Sequence, residues 1–405
     1  MSQSHERTQP HWGDPGPVPG IDAADTVPST HFAAVDGLRG IACLGVVAHH
    51  CYLHAGRYQW PSFEVLGHPV VLSRLLFYGN AGVELFFVIS GFCLAFPLLQ
   101  RSKKEGWKRW FLKRAYRILP PYYASALLFW GMNGLLRIHP FRLFGMTSPP
   151  AGPVELKGVL ACFTLLNAYF NPSYWTLVLE ARWYLIFPLL IWLWARAGAT
   201  MLFAACVFAS AVGFWLSTVS PKFVFLTANV LLYLPLFASG MLLARWTAKR
   251  ETPRWLVRAA PWGLAASVLL VAFGGPSDSG DGPVPRLVAY GMVAFFWLLS
   301  ALNSPRFSSF ARLPVFVRVG AFSYSLYLIH EPIVHLAFTL FGQLHLTPPQ
   351  SFLVYECGVL PFCVGVGYLF FRLVERPLLR RAGRIFKRTP VSSLRPSLLG
   401  GTANR

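Results

Sequence analysis

The chain has 405 residues, of which 55% are apolar and only 13% carry a charged side chain. With a mean hydropathy of +0.48, this excludes a soluble globular protein, whose surface needs more charge than the chain supplies. The formal net charge of +20 does not imply a nucleic-acid partner, because the basic residues lie in short stretches between apolar runs, as in the cytoplasmic loops of membrane proteins.

Residues 1–32 hold Pro, Gly and Asp without the apolar core of a signal peptide and are expected to form a disordered cytosolic tail. The apolar runs that follow predict an all-α polytopic membrane protein of about ten transmembrane helices. The predicted spans are 36–53, 80–99, 119–136, 176–195, 199–217, 224–245, 256–273, 286–302, 319–341 and 352–372. Pro188, Pro235, Pro332 and Pro361 fall inside spans, which membrane helices tolerate when neighbours satisfy the freed backbone. Segment 155–170 is ambiguous by length, with an apolar core short for a span that suits an interfacial or re-entrant segment, and charge counting decides the case. With both termini cytoplasmic and 155–170 not crossing, the inside segments carry 23 Lys and Arg against about six outside, as the positive-inside rule requires. The expected organisation is the tail 1–32, a membrane domain over 33–378 and a basic cytosolic tail over 379–405.

Ionisable groups inside spans are costly and mark functional candidates. In the first span, Arg39 and His50 are eleven residues apart. That is about 1100° of helix rotation, close to three full turns, so both lie on one face about 16 Å apart. His49 points about 100° away. A snorkelling arginine and a packed histidine would each explain one residue, but their alignment favours a shared role. Glu84 sits near the outer end of the second span, where Ser90-Gly91 permits close helix approach. Arg114 and Arg117 follow one turn apart at the membrane surface, an arrangement suited to a phosphate group as well as to loop charge. In the fourth span Glu180 shares a face with Tyr184, while Arg182 points elsewhere. Tyr327 and His330 are one turn apart in the ninth span, where a structural role is expected. The seven cysteines read as small buried hydrophobes, and the histidines are not read as a metal motif, so no metal is expected.

In order along 33–378 the chain contains VDGLRGIA with a downstream histidine, GVELFFVISGF, KRAYRILPPYY, WTLVLEARWYLIFP, SYSLYLIHEP and FRLVERPL. This set resembles acyltransferase family 3, the bacterial integral-membrane O-acyltransferases. The resemblance implies a functional R-x10-H pair at Arg39 and His50 and an R-x-x-R motif at Arg114 and Arg117. It also implies about ten spans, an acyl-CoA co-substrate from the cytoplasm and a hydroxylated extracytoplasmic acceptor. The chain departs from the family at Thr176 and Val178, where serines are usual, at Arg182 in place of Gln, and at Glu84 in place of Asp.

On this basis Arg114 and Arg117 are expected to hold the donor phosphates, with Arg39 lining the entrance. His50 is expected to act as general base with Glu180 orienting it. Glu84, Tyr327 and His330 are retained as acceptor-side or structural residues. No tightly bound cofactor is expected, and the location is the inner or plasma membrane, multi-pass. The rival reading is a transporter of lipid-linked or glycolipid substrate without acyl transfer, which the lack of internal repeats and the cytoplasmic arginine pair disfavour.

Overall fold

The computed structural model describes residues 33–65, 68–100, 106–136, 163–165, 171–219, 229–274, 283–342 and 344–386. The expectations for the tail 1–32, for most of 155–170 and for the chain beyond 386 fall outside these residues.

Among the described residues, each predicted span falls on helix. The first helix is Ala33–His54, with Asp36 in its opening turn, where a carboxylate favours the helix N-terminus. Gly56 and Arg57, both at positive φ, turn the chain away beyond its end. A two-stranded antiparallel hairpin follows, Ser62–Val65 against His68–Val71. The next helices are Gly82–Gln100, Trp107–Leu136 and the long Trp175–Val219. Gly198, at φ 85, interrupts the last of these where the sequence separates two spans. Leu234–Lys249, Arg254–Gly274 and Pro283–Asn303 come next.

Three elements differ from expectation. Helix Trp107–Leu136 begins well before 119, so Arg114 and Arg117 are carried on a helix rather than a loop; Lys and Arg are good helix formers and do not terminate it. The predicted span 319–341 is two helices, Pro314–Ala321 and Ser323–Phe341, broken at Phe322. The last helical stretch, Pro348–Ile385, carries two wide turns at Tyr355–Val359 and Phe371–Glu375 and takes in the start of the predicted basic tail.

Four helical stretches are long and apolar enough to cross a membrane: Arg74–Gln100, Trp175–Leu216, Asn229–Lys249 and Pro348–Ile385. A fifth is the pair Leu287–Asn303 and Pro305–Ala311, if this pair, bent by 104°, is one span. These stretches present large apolar side chains outward, among them Leu185, Phe208 and Leu373, as a lipid-facing surface does. The protein is a membrane protein.

Backbones approach closely at glycines. A Cβ on Gly91 would lie 1.9 Å from the Phe237 carbonyl oxygen, and one on Gly240 would lie 1.9 Å from that of Val88. Helices Gly82–Gln100 and Leu234–Lys249 are therefore locked in register, and the close approach expected at Ser90-Gly91 is observed. The first helix meets Pro314–Ala321 in the same way, through Gly40 and Gly320. That contact fixes Arg39 and His50 relative to the neighbouring helix Ser323–Phe341.

Candidate active site

Two groups of polar residues lie within the helical body, one at each end of the Arg39–His50 face. The first is built around Glu331, on helix Ser323–Phe341, whose side chain is 1% exposed. His50 Nδ1 lies 3.1 Å from Glu331 Oε2 and 3.0 Å from His330 Nε2. His330 Nδ1 lies 2.8 Å from the carbonyl oxygen of Tyr327. A carbonyl only accepts, so Nδ1 of His330 carries its proton and Nε2 is an acceptor. Nδ1 of His50 must then be the donor, facing the His330 nitrogen and the Glu331 carboxylate. This assigns the tautomer and leaves Nε2 of His50 unprotonated, the nitrogen that can accept a proton.

Ser173 donates to the same Glu331 oxygen at 3.2 Å. It is presented by the segment before helix Trp175–Val219. There Asn171 accepts from the Ser173 N–H at 2.9 Å and donates to the Leu328 carbonyl at 3.2 Å. On the far side of the carboxylate, Oε1 faces His54 Nε2 at 3.4 Å and His335 Nε2 at 3.6 Å. Glu331 is thus set among four histidines and a serine. Each half of the cluster brings three metal-ligating atoms within 4.8 Å of one another.

The second group lines a cavity of about 110 Å³. Arg39 enters it from the first helix, Arg114 and Arg117 from helix Trp107–Leu136, and Glu180 from helix Trp175–Val219. Arg114 stacks its guanidinium over Trp110 at 5.6 Å, which holds the fork in place. Ser90 donates to Glu180 at 2.6 Å, and Tyr184 donates to the same carboxylate oxygen. Much of the remaining wall is apolar, with Phe86, Phe87 and Ile89 among its residues, beside the hydroxyl-bearing Thr176, Ser323, Tyr324 and Tyr327. A guanidinium cluster at one end of a largely apolar cleft suits an anionic ligand with an extended, less polar arm.

Tyr327 belongs to both groups. It lines the cavity, accepts from Thr176 at 2.9 Å, donates to the Ser173 carbonyl at 3.1 Å and lies beside the His330 ring, 5.4 Å between centroids. The cavity wall therefore adjoins the histidine cluster.

The model of acyltransferase family 3, described as an acyltransferase domain, matches residues 32–372. The chain belongs to this family. Among curated proteins, the acyltransferase MdmB of Streptomyces mycarofaciens is 24% identical over 391 residues, covering 89% of this chain and 94% of that protein. The O-acetyltransferase PaAT-1 of Phomopsis amygdali is 41% identical over 75 residues, 17% of this chain and only 15% of that protein. No solved structure matches. Membership in acyltransferase family 3 makes the chain an acyltransferase that transfers groups other than aminoacyl groups.

Set on this family framework, the sequence-derived residues divide cleanly. Arg39, Arg114 and Arg117 share one cavity. His50 and His330 come into contact, and His49 points away against Phe77, 5.4 Å between ring centroids. Glu84 is buried near the start of its helix. The pairing of His50 with Glu180 is not observed: Glu180 faces the arginine cavity, and the carboxylate beside His50 is Glu331. The reason is reach. Glu180 is held by Ser90 and Tyr184 at the arginine end of the face, while Glu331 enters at the His50 level on another helix. The sequence reading missed Glu331, Ser173, His54 and His335. A signal was present: His50 and His54 are four residues apart, as are Glu331 and His335, so each pair lies on one helical face. That spacing also removes the ground for reading the histidines as lacking a metal-ligand pattern. Thr176, standing where a serine is usual, keeps a hydroxyl and uses it on Tyr327.

Proposed function

We propose that the chain is a membrane O-acyltransferase that moves an acyl group, acetyl by first expectation, from cytoplasmic acyl-CoA to a hydroxyl of an extracytoplasmic glycan or other acceptor. The observation that carries this reading is the join at Tyr327 between a three-arginine cavity and a histidine whose free nitrogen is defined by its neighbours. In the ten-span arrangement with both termini cytoplasmic, Arg39 lies at the cytoplasmic end of the first helix and His50 in its outer half.

Arg114 and Arg117 receive the donor phosphates through forked, charge-assisted hydrogen bonds, with Arg39 beside them. The arm of the donor runs along the apolar wall toward Tyr327, and the thioester reaches the level of His50. Nε2 of His50 takes the proton of the acceptor hydroxyl as its oxygen forms a bond to the thioester carbonyl carbon. The carbon–sulfur bond breaks, and the proton passes from His50 to the departing thiolate. Glu331 accepts a hydrogen bond from Nδ1–H of His50, holds the ring in its reactive tautomer and stabilises the imidazolium while it lasts, the part a carboxylate plays in a triad. Ser173 and His330 keep Glu331 and His50 in register. Glu180 serves the donor side, as a carboxylate that anchors Tyr184 and balances the arginines.

The test is direct. Purified protein in detergent should release free thiol from acetyl-CoA, and mass spectrometry of cell-envelope glycans and secreted hydroxylated metabolites should show an acyl mass that disappears with the gene. A protein without thioesterase or transferase activity, whose loss changes only the distribution of an unmodified lipid-linked substrate, would instead be a transporter.

A further inference from the structure

Among the described residues, the partners of Glu331 are His50, His54, His330, His335 and Ser173. No Lys or Arg reaches it. A fully buried carboxylate requires a compensating positive charge, which here must come from one of these histidines in its protonated form or from a bound cation.

The two halves of the cluster differ in their spacing. On the Oε2 side, 3.0 and 3.1 Å are hydrogen-bond distances. On the Oε1 side, His54 and His335 stand off at 3.4 and 3.6 Å, beyond the roughly 2.7–2.9 Å of a charge-assisted N–H to carboxylate bond. These separations match another geometry. Ligands about 2.0–2.1 Å from a tetrahedral ion are separated by about 3.3–3.4 Å, the edge of the tetrahedron.

We propose that His54 Nε2, His335 Nε2 and Glu331 Oε1 form a binding site for a divalent transition-metal ion of the zinc class. Two imidazoles and one carboxylate are a three-ligand set that such ions take, with a fourth position left for water or another oxygen ligand. The side chains of all three are at most 4% exposed, so bulk water does not compete for them. The carboxylate has the supporting partners that metal-ligating carboxylates need: its other oxygen faces Ser173 and His50. His54 and His335 are also in mutual ring contact, 4.3 Å between centroids, and the ligating atoms of the three residues lie within 4.8 Å of one another. The ion would supply a compensating positive charge to Glu331 while leaving Nε2 of His50 unligated.

The site does not depend on the acyl-transfer reading, and the experiment separates them. Untagged protein in detergent is loaded with Co(II), desalted, and examined for the visible bands of a four-coordinate ion; Zn(II) content after parallel loading is measured by mass spectrometry. The expected result is one ion per chain in the wild type and in His50→Ala, with affinity in the latter reduced no more than loss of a supporting partner entails, about 10–100-fold. In His54→Ala and His335→Ala, where a ligand itself is lost, affinity should fall further than in His50→Ala, by more than the roughly 10–100-fold that removal of a supporting partner costs. Size-exclusion profiles and thermal unfolding identify variants that have not folded. Should the substitutions at His54 and His335 misfold, the wild-type cobalt spectrum alone decides. No bound ion in the wild type overturns the proposal. So does binding that survives in folded His335→Ala but is lost in folded His50→Ala, since the ion would then occupy the other half of the cluster.

Discussion

With Nδ1 of His50 committed to Glu331 and His330, only Nε2 remains to take a proton, and substitutions should separate the two functions of the ring. His50→Ala should lower transfer by about 10²–10⁴-fold, the usual cost of losing a general base. His49→Ala, on the same helix but facing Phe77, should retain most activity at equal membrane levels. An inactive His49→Ala beside an active His50→Ala would relocate the site. Glu331→Gln keeps the shape but loses the charge that stabilises the imidazolium. It should depress kcat strongly with a smaller change in KM for acyl-CoA, whereas a KM effect alone would assign Glu331 to donor binding. His50 was legible because it shares a helix with Arg39, where geometry follows from counting. Its carboxylate was not, because His50 and His330 are 280 positions apart, and nothing local says which of several glutamates the fold brings to the ring.

At the scale of single helices, the pattern 114-R-x-x-R-117 puts two guanidinium groups on one face, and the cavity confirms that they point the same way as Arg39. Replacing Arg114 or Arg117 with Ala should raise the apparent KM for acyl-CoA about tenfold or more, since a charge-assisted contact contributes about 1.5–3 kcal/mol. kcat should change less. An unchanged KM with a collapsed kcat would place the donor elsewhere. Helix contacts can be tested through stability. Gly240→Ala forces a methyl group toward the Val88 carbonyl and should cost about 1–3 kcal/mol as overpacking, read as a lower unfolding temperature in detergent. Gly365→Ala, where a Cβ meets nothing within 4 Å, should be neutral or stabilising. Equal losses at both positions would argue against register-locking by the glycine pair. Hydropathy made most helices legible and Ser90-Gly91 flagged one contact. The break at Phe322 was hidden because the apolar pattern runs through it.

For the molecule as a whole, the first helix and Ser323–Phe341 are not among the stretches apolar enough to pass as spans by composition. The cause is the site itself. Asp36, Arg39 and three histidines lower the hydropathy of one, and His330, Glu331 and His335 that of the other. Membrane helices that carry chemistry are the ones composition describes least well. Orientation rests on the distribution of Lys and Arg, and reporters fused at Asp278 and within 246–255 should report extracytoplasmic and cytoplasmic locations respectively. Swapped signals would invert the donor and acceptor sides together. Tyr327 has one more consequence. If substrates enter from opposite faces, the two approaches meet at this phenol, which Thr176 and Ser173 hold between helices. An enzyme built on that plan must also be an electrical insulator, because any passage wide enough for a hydrated ion would discharge the membrane potential. On that plan the clasp on Tyr327 closes the seam between the two approaches to hydrated ions such as sodium.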